Sequence, residues 1–457
     1  MVYTALFLCY NIHIKLFKRI MDKDQDVKRQ NGELFMSVSY SREEICSGAA
    51  FTQLIDPKLK TNNVFVHFLE PTKEDIVSAN AVIPKILSDS SEDYPSITAL
   101  SRKLSSLYGA SVRGGVSTFA DCCVVSMACG AIADRYTISG EKINGELIDT
   151  FMGCLLRPNL ENGVFEAHDF ALKKQELLDD IDAEINDKRT YAVRRARELT
   201  YCGEPASINI NGTKEAAEKL TPADVYKRYK ELLSEARIEV VYAGSEISDE
   251  NKEKIFAAVR SIERGNIVQC GYKPSPAKKS VVRKTEEMDI VQSKMVMSFK
   301  SDCTNEKALK LFSAVYGGTP FSKLFDNVRE KLSLCYYCSS AVSETKQTMF
   351  IDSGVEHSNV EPAEKEILNQ LELMKSGEFS DEDIEHARLL LINSLKSVND
   401  SPRAMSEWYF RQCLEDEILS PEQEIERYKA VTREDIIAAA KSMVPDTVYV
   451  LTGKAVE

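Results

Sequence analysis

Segments of this 457-residue chain recur in pairs at a near-constant spacing, and that duplication constrains the fold more than any other feature. Leu220-Thr221-Pro222-Ala223-Asp224-Val225 leads through a helical stretch into Ile238-Glu239-Val240-Val241-Tyr242-Ala243-Gly244. Val431-Thr432-Arg433-Glu434-Asp435-Ile436 leads likewise into Val448-Tyr449-Val450-Leu451-Thr452-Gly453, with the two Thr 211 residues apart and the two Gly 209 apart. Each reads as a Thr N-cap with an acidic residue three positions on, a helix, and a β-branched strand ended by Gly. Asn186-Asp187 and Asn399-Asp400, 213 apart, each close a helical segment, and residues 104–109 match 311–317 through Tyr108-Gly109 and Tyr316-Gly317, 208 apart.

The duplication predicts an α+β fold of two homologous halves, each a mainly antiparallel sheet with helices packed on it, forming a clamshell around a chamber. Single cores stop growing near ~250–300 residues, so a chain this long needs more than one. The expected units are an N-terminal extension over 1–35, non-native or disordered, a first half over 36–262, a linker over 263–285 and a second half over 286–457. Gly271-Tyr272-Lys273-Pro274-Ser275-Pro276 marks the linker by its two prolines. Residues 1–20 are mildly apolar but lack the charge order of a signal peptide and the length of a membrane span. Met21 or Met36 is therefore the expected working start.

Composition narrows the function. The net charge is -13, with no basic stripe to neutralise phosphates, which argues against nucleic acid. A cytoplasmic protein with reduced thiols is expected from twelve scattered cysteines without a secretory signal. Cys335 and Cys338 are expected to be two structural thiols, because strand positions three apart point to opposite faces.

The most specific motif is Val315-Tyr316-Gly317-Gly318-Thr319-Pro320-Phe321-Ser322-Lys323-Leu324-Phe325-Asp326-Asn327-Val328-Arg329-Glu330-Lys331-Leu332-Ser333-Leu334-Cys335-Tyr336. It resembles the substrate-binding half of the insulinase/pitrilysin zinc-peptidase family, through Gly-Gly, Ser-Lys-Leu-Phe, Arg-Glu-Lys and a Tyr seven residues after the Arg. The resemblance implies that Arg329 and Tyr336 hold peptide substrate, with Gly317 and Gly318 in a structural loop. A guanidinium can donate to a substrate carbonyl, and a phenol can donate to a developing oxyanion.

The same resemblance implies an H-x-x-E-H zinc motif on a helix of the first half, and this is missing. The chain has His13, His67, His168, His357 and His386, and the nearest two are 29 apart. The motif would fall on Ala81-Val82-Ile83-Pro84-Lys85, where no side chain is a zinc ligand and Lys85 repels a cation. The family's third ligand, a Glu on a later helix, falls among Glu176, Asp179, Asp180 and Glu184. No catalytic residue, metal ligand or cofactor is therefore expected in this chain. Asn186-Asp187-Lys188-Arg189-Thr190-Tyr191-Ala192, with Arg195 and Glu198, resembles a zinc-lacking bacterial branch associated with aminopentanol modification of elongation factor P. The expected partners are a zinc-containing homologous peptidase subunit and a peptide, without nucleic acid or membrane. A stand-alone peptide-binding scaffold is the alternative.

Overall fold

A computed structural model describes residues 38–453, so the expectations for 1–35 lie outside the described residues. The strands of the first half are β1 (Ser39–Cys46), β2 (Ala49–Ile55), β3 (Thr61–Pro71), β4 (Ser111–Phe119), β5 (Cys122–Ile132), a short hairpin of β6 (Leu160–Glu161) and β7 (Val164–Phe165), and β8 (Arg237–Gly244). Those of the second are β9 (Val282–Glu287), β10 (Ser293–Lys300), β11 (Cys335–Ser343), β12 (Thr348–Val355) and β13 (Val444–Thr452). Helices α1 (Glu74–Leu87), α2 (Ile97–Ser106), α3 (Ile143–Leu156), α4 (Ala167–Ala183), α5 (Lys188–Thr200), α6 (Lys214–Lys219), α7 (Pro222–Glu235) and α8 (Asp249–Arg260) belong to the first half. The second contributes α9 (Glu306–Ser313), α10 (Val360–Ser376), α11 (Asp381–Lys396), α12 (Pro402–Phe410), α13 (Pro421–Ala430) and α14 (Arg433–Lys441).

The two sheets share one strand order. The first runs β1-β2-β8-β3-β5-β4 and the second β9-β13-β10-β12-β11, so β2, β8, β3, β5 and β4 correspond to β9, β13, β10, β12 and β11. In each, the last strand pairs parallel with an early one, β8 with β2, the second strand, and β13 with β9, the first of its half, while the other ladders are antiparallel. The strongest sequence repeat occupies equivalent places: Thr221 and Thr432 each cap a helix through a reciprocal bond with an Asp, at α7 and α14, ahead of β8 and β13.

One pair of the repeat is displaced. Tyr108-Gly109 lies in the turn between α2 and β4, whereas Tyr316-Gly317 ends a π-helical turn, Ala314–Gly318, that continues α9. The counterpart of the first turn is the approach to β11, where Ser333 has φ 50° against 58° at Tyr108. A shared Tyr-Gly dipeptide misled the alignment, and the backbone's left-handed residue identifies the true equivalent.

Each sheet buries one face beneath its own helices. Phe51, Val66, Phe68, Ile83, Phe151 and Leu177 centre the first core, and Met297, Phe299, Phe312, Tyr316, Ile351 and Met374 the second. The other face of each sheet receives a helix from the opposite half. Ala192 and Ala196 of α5 pack against Val296, Tyr449 and Leu451 of the second sheet. Reciprocally, Phe410 of α12 packs on Phe119 and against His67, whose ring centroid lies 4.1 Å away. The chain from 261 to 281 crosses between the halves without helix or strand, pinned where Lys278 Nζ meets Asp446 at 2.5 Å. A cavity of about 890 Å³ lies at this junction, lined by Phe119, Arg197 and Tyr201 on one side and Trp408, Arg411 and Tyr428 on the other.

Candidate functional site

Helix α1 carries the stretch where the zinc motif is expected. Ala81, Val82 and Ile83 are buried in the first core, and Pro84 interrupts the helix from within. Proline lacks the N–H that a helix interior requires, so this turn is built for packing rather than for presenting ligands. Lys85 reaches from α1 to α4, where its Nζ lies 2.8 Å from Asp180 Oδ2. An ammonium–carboxylate pair thus occupies the helix face that would carry a second histidine and its acidic co-ligand. The residues do not fit zinc: three are hydrocarbon, one is proline and the last is a cation. Among the described residues no group of three His, Cys, Asp or Glu side chains is placed to hold a metal ion.

The neighbouring acids of α4 are also engaged. Glu184, just past its end, accepts from Asn209 Nδ2 at 3.0 Å and pairs with Arg194 at 2.8 Å. One residue before the motif stretch, Asn80 is fully buried, donates to Glu70 Oε1 at 2.6 Å and accepts from Arg228 Nε at 3.0 Å. Arg228 also pairs directly with Glu70, which joins β3, α1 and α7 in a buried polar network. Sequence patterning did not reveal this network, since its members lie on three separate elements.

In the second half the motif residues are presented outward. Gly317 and Gly318, expected in a loop, instead form the end of the π-helical turn. A Cβ at Gly317 would come within 2.9 Å of Ser340 N, so only glycine permits the close approach of β11 to this turn. Arg329 stands on a second π-helical segment, Phe325–Lys331, and its guanidinium lies over the Phe325 ring at 4.7 Å from the centroid. Its Nε is 3.5 Å from Glu330 Oε1. π-helical turns are rare and concentrate at functional positions.

Tyr336 owes its orientation to a β-bulge. Cys335 faces Val355 and Tyr337 faces Gly354 on β12, so Tyr336 is the extra residue. Its side chain is 58% exposed, and the hydroxyl donates to Glu356 Oε1 at 3.0 Å. Bulges re-aim side chains in this way. Leu332 and Phe321, 51% and 41% exposed, extend the apolar surface along the same motif.

The bulge also corrects the expectation for the cysteines. It absorbs one residue, so Cys335 and Cys338 face β12 residues two apart, Val355 and Ser353, and share one buried face. Of the histidines, His67 bonds Ser126 Oγ through Nδ1 at 2.8 Å, while Nε2 is buried without a partner. Burial pushes its pKa down to about 3. His357 bonds Ser293 Oγ at 2.6 Å.

The described residues thus form two interlocked α+β halves, with core packing where the zinc motif is expected and with Arg329 and Tyr336 turned outward. The chain is similar to inactive M16-family metalloproteases in sequence and in fold. The peptidase M16 inactive domain matches residues 219–391. The chain is 26% identical to the probable inactive metalloprotease YmfF of Bacillus subtilis (strain 168), over 87% of this chain and 94% of that one. Its fold is similar to that of a conserved protein from Enterococcus faecalis V583, with a TM-score of 0.85 and 24% identity over 92% of this chain and 99% of the other. It is also similar to the peptidase M16 inactive domain from Pseudomonas fluorescens, with a TM-score of 0.73 and 14% identity over 91% and 99%. No helix of the described residues is long and apolar enough to cross a membrane.

Proposed function

We propose that this chain is the non-catalytic subunit of a peptide-processing complex, pairing with a zinc-containing homologue and supplying Arg329 and Tyr336 to its substrate. The observation carrying this reading is the contrast within one molecule: Ala81, Val82 and Ile83 are sealed in the core, while Tyr336 is bulged outward with Arg329 on the element before it. A side chain with no function outside the chain gains more by burial, at about 25 cal/mol per Å² of apolar area, than by exposure at a bulge. In the complex, Arg329 would hold a substrate carbonyl and Tyr336 would donate to the oxygen on which negative charge develops, while a zinc in the partner would supply the activation of water.

The test is peptide hydrolysis by this chain alone, by a zinc-bearing family member from the same organism alone, and by the two mixed after co-purification. Activity that appears only in the mixture supports the reading. A mixture that forms no complex, and adds nothing to the zinc-bearing chain alone, refutes it.

A further inference from the structure

We propose that Cys335 and Cys338 are a thiol-modification site, at which hydrogen peroxide oxidises the pair to an intramolecular disulfide beside Arg329 and Tyr336. The bulge at Tyr336 is what makes the pair competent. In a regular strand, residues three apart lie on opposite faces and cannot be bridged. Here the cross-strand neighbours of Cys335 and Cys338 are Val355 and Ser353, so both thiols point to one side of β11. Both are free and 8% and 5% exposed, and they lie on one face beside Ser353, whose hydroxyl donates to the Tyr337 carbonyl at 3.1 Å.

Their roles differ. The hydrogen bond from Cys338 holds the Cys335 thiol below its ordinary range against the opposing effect of burial, and Ser353 and the Arg329 guanidinium add to it. The same bond, with burial, pushes Cys338 up. Cys335, the more exposed of the two and the one beside the Arg329 guanidinium, is the attacking sulfur and Cys338 the resolving one. By contrast, burial pushes the Cys154 thiol up to about 11 and Cys123 up to about 12, against the lowering effect of Ser91 on the first and of Asn80 on the second.

The chemistry balances. The Cys335 thiolate attacks one peroxide oxygen, the O–O bond breaks, and Cys335 sulfenic acid forms with release of hydroxide, which takes up the displaced proton as water. The Cys338 sulfur then attacks the sulfenic sulfur, an S–S bond forms and the oxygen leaves as a second water. Two thiols are oxidised and one peroxide is reduced. The bridge spans the bulge from which Tyr336 projects, joining Cys335 at its start to Cys338 one residue past its end. Its consequence for peptide processing rests on the reading of Arg329 and Tyr336 above; the modification itself does not.

The full chain is treated with hydrogen peroxide in the native state, then denatured, alkylated and digested with trypsin. The peptide spanning 332–346 holds these two cysteines and no other, so a bridge within it is distinct from one that involves any other cysteine. The expected product is that peptide two hydrogens lighter, closed to alkylation and reopened by dithiothreitol. In Cys338→Ser, a dimedone adduct should appear on Cys335 instead. Full alkylation of both cysteines after peroxide, or sulfinic acid at Cys335 with no bridge, overturns the site. In the complex, the oxidised chain should support at least fivefold less turnover than the reduced one. A bridge that leaves turnover unchanged upholds the modification and overturns its link to Tyr336, whereas no turnover with the reduced chain overturns the proposed function itself.

Discussion

Helix α1 in the first half and the segment leading into strand β11 in the second carry the two stretches that the family resemblance singles out, and they have been treated in opposite ways. On α1 the motif stretch is Ala81, Val82, Ile83, Pro84 and Lys85, all but the last buried and the last tied to Asp180. Around β11 the motif keeps its charged and aromatic members, with Arg329 stacked on Phe325 and Tyr336 lifted out by a bulge. Once a site no longer binds metal, its helix is free to be filled like any core. Under the proposed function the surface around Arg329 and Tyr336 meets another molecule, and it keeps exposed apolar area and a backbone irregularity.

That contrast can be broken most forcefully at the buried network under α1. Arg228→Met leaves the Glu70 carboxylate buried without its cation and should cost about 3–5 kcal/mol of stability, read by urea unfolding. A loss below about 1 kcal/mol would show that α1 is not held as described. Ile83→Ala, within the former motif, should cost about 2–5 kcal/mol while leaving assembly with a partner intact in the surviving folded fraction, read by unfolding and gel filtration.

Acid should act at the junction of the halves. The folded-state pKa of His67 lies near 3, below its ordinary 6.5, because its ring is desolvated against Phe410. Its cross-strand neighbour Glu239 is held by Arg42 at 2.7 Å and Arg237 at 2.8 Å and brings no free charge to it. A depressed pKa means that the stabilisation is complete above pH 6.5 and is lost as pH falls from there toward 3. Lowering the pH from 7.5 to 5.5 should cost the wild type about 1.4 kcal/mol more than His67→Gln. Identical pH profiles would contradict this. The smallest effect belongs to Lys85→Ala: its pair with Asp180 is partly solvated and should be worth less than about 1 kcal/mol in thermal unfolding.

Much of the architecture was legible because duplication leaves paired signals. The Thr-Asp caps at 221 and 432 and the β-branched strands after them aligned the two halves without reference to contacts. The Tyr-Gly pair misaligned because a dipeptide carries little information, whereas the left-handed residue that marks the equivalent turn is a backbone property with no fixed side chain, Tyr at 108 and Ser at 333. The missing histidines were plain from the sequence. The bulge at Tyr336 was not: one inserted residue reverses which side chains share a face, and only the pairing with β12 shows where it lies. Likewise Lys85 could be seen to repel a cation, but its pairing with Asp180 required the packing of α1 on α4.

The most direct test measures kcat/KM for peptide hydrolysis by the complex containing Arg329→Ala, beside the one containing Lys85→Ala. Losing a donor aimed at the reacting carbonyl should lower turnover about 10²–10³-fold for Arg329→Ala, with thermal stability of the chain unchanged, and Lys85→Ala should match the wild type. Equal activities for the two variants, or a loss confined to Lys85→Ala, would contradict the assignment of function to the second half.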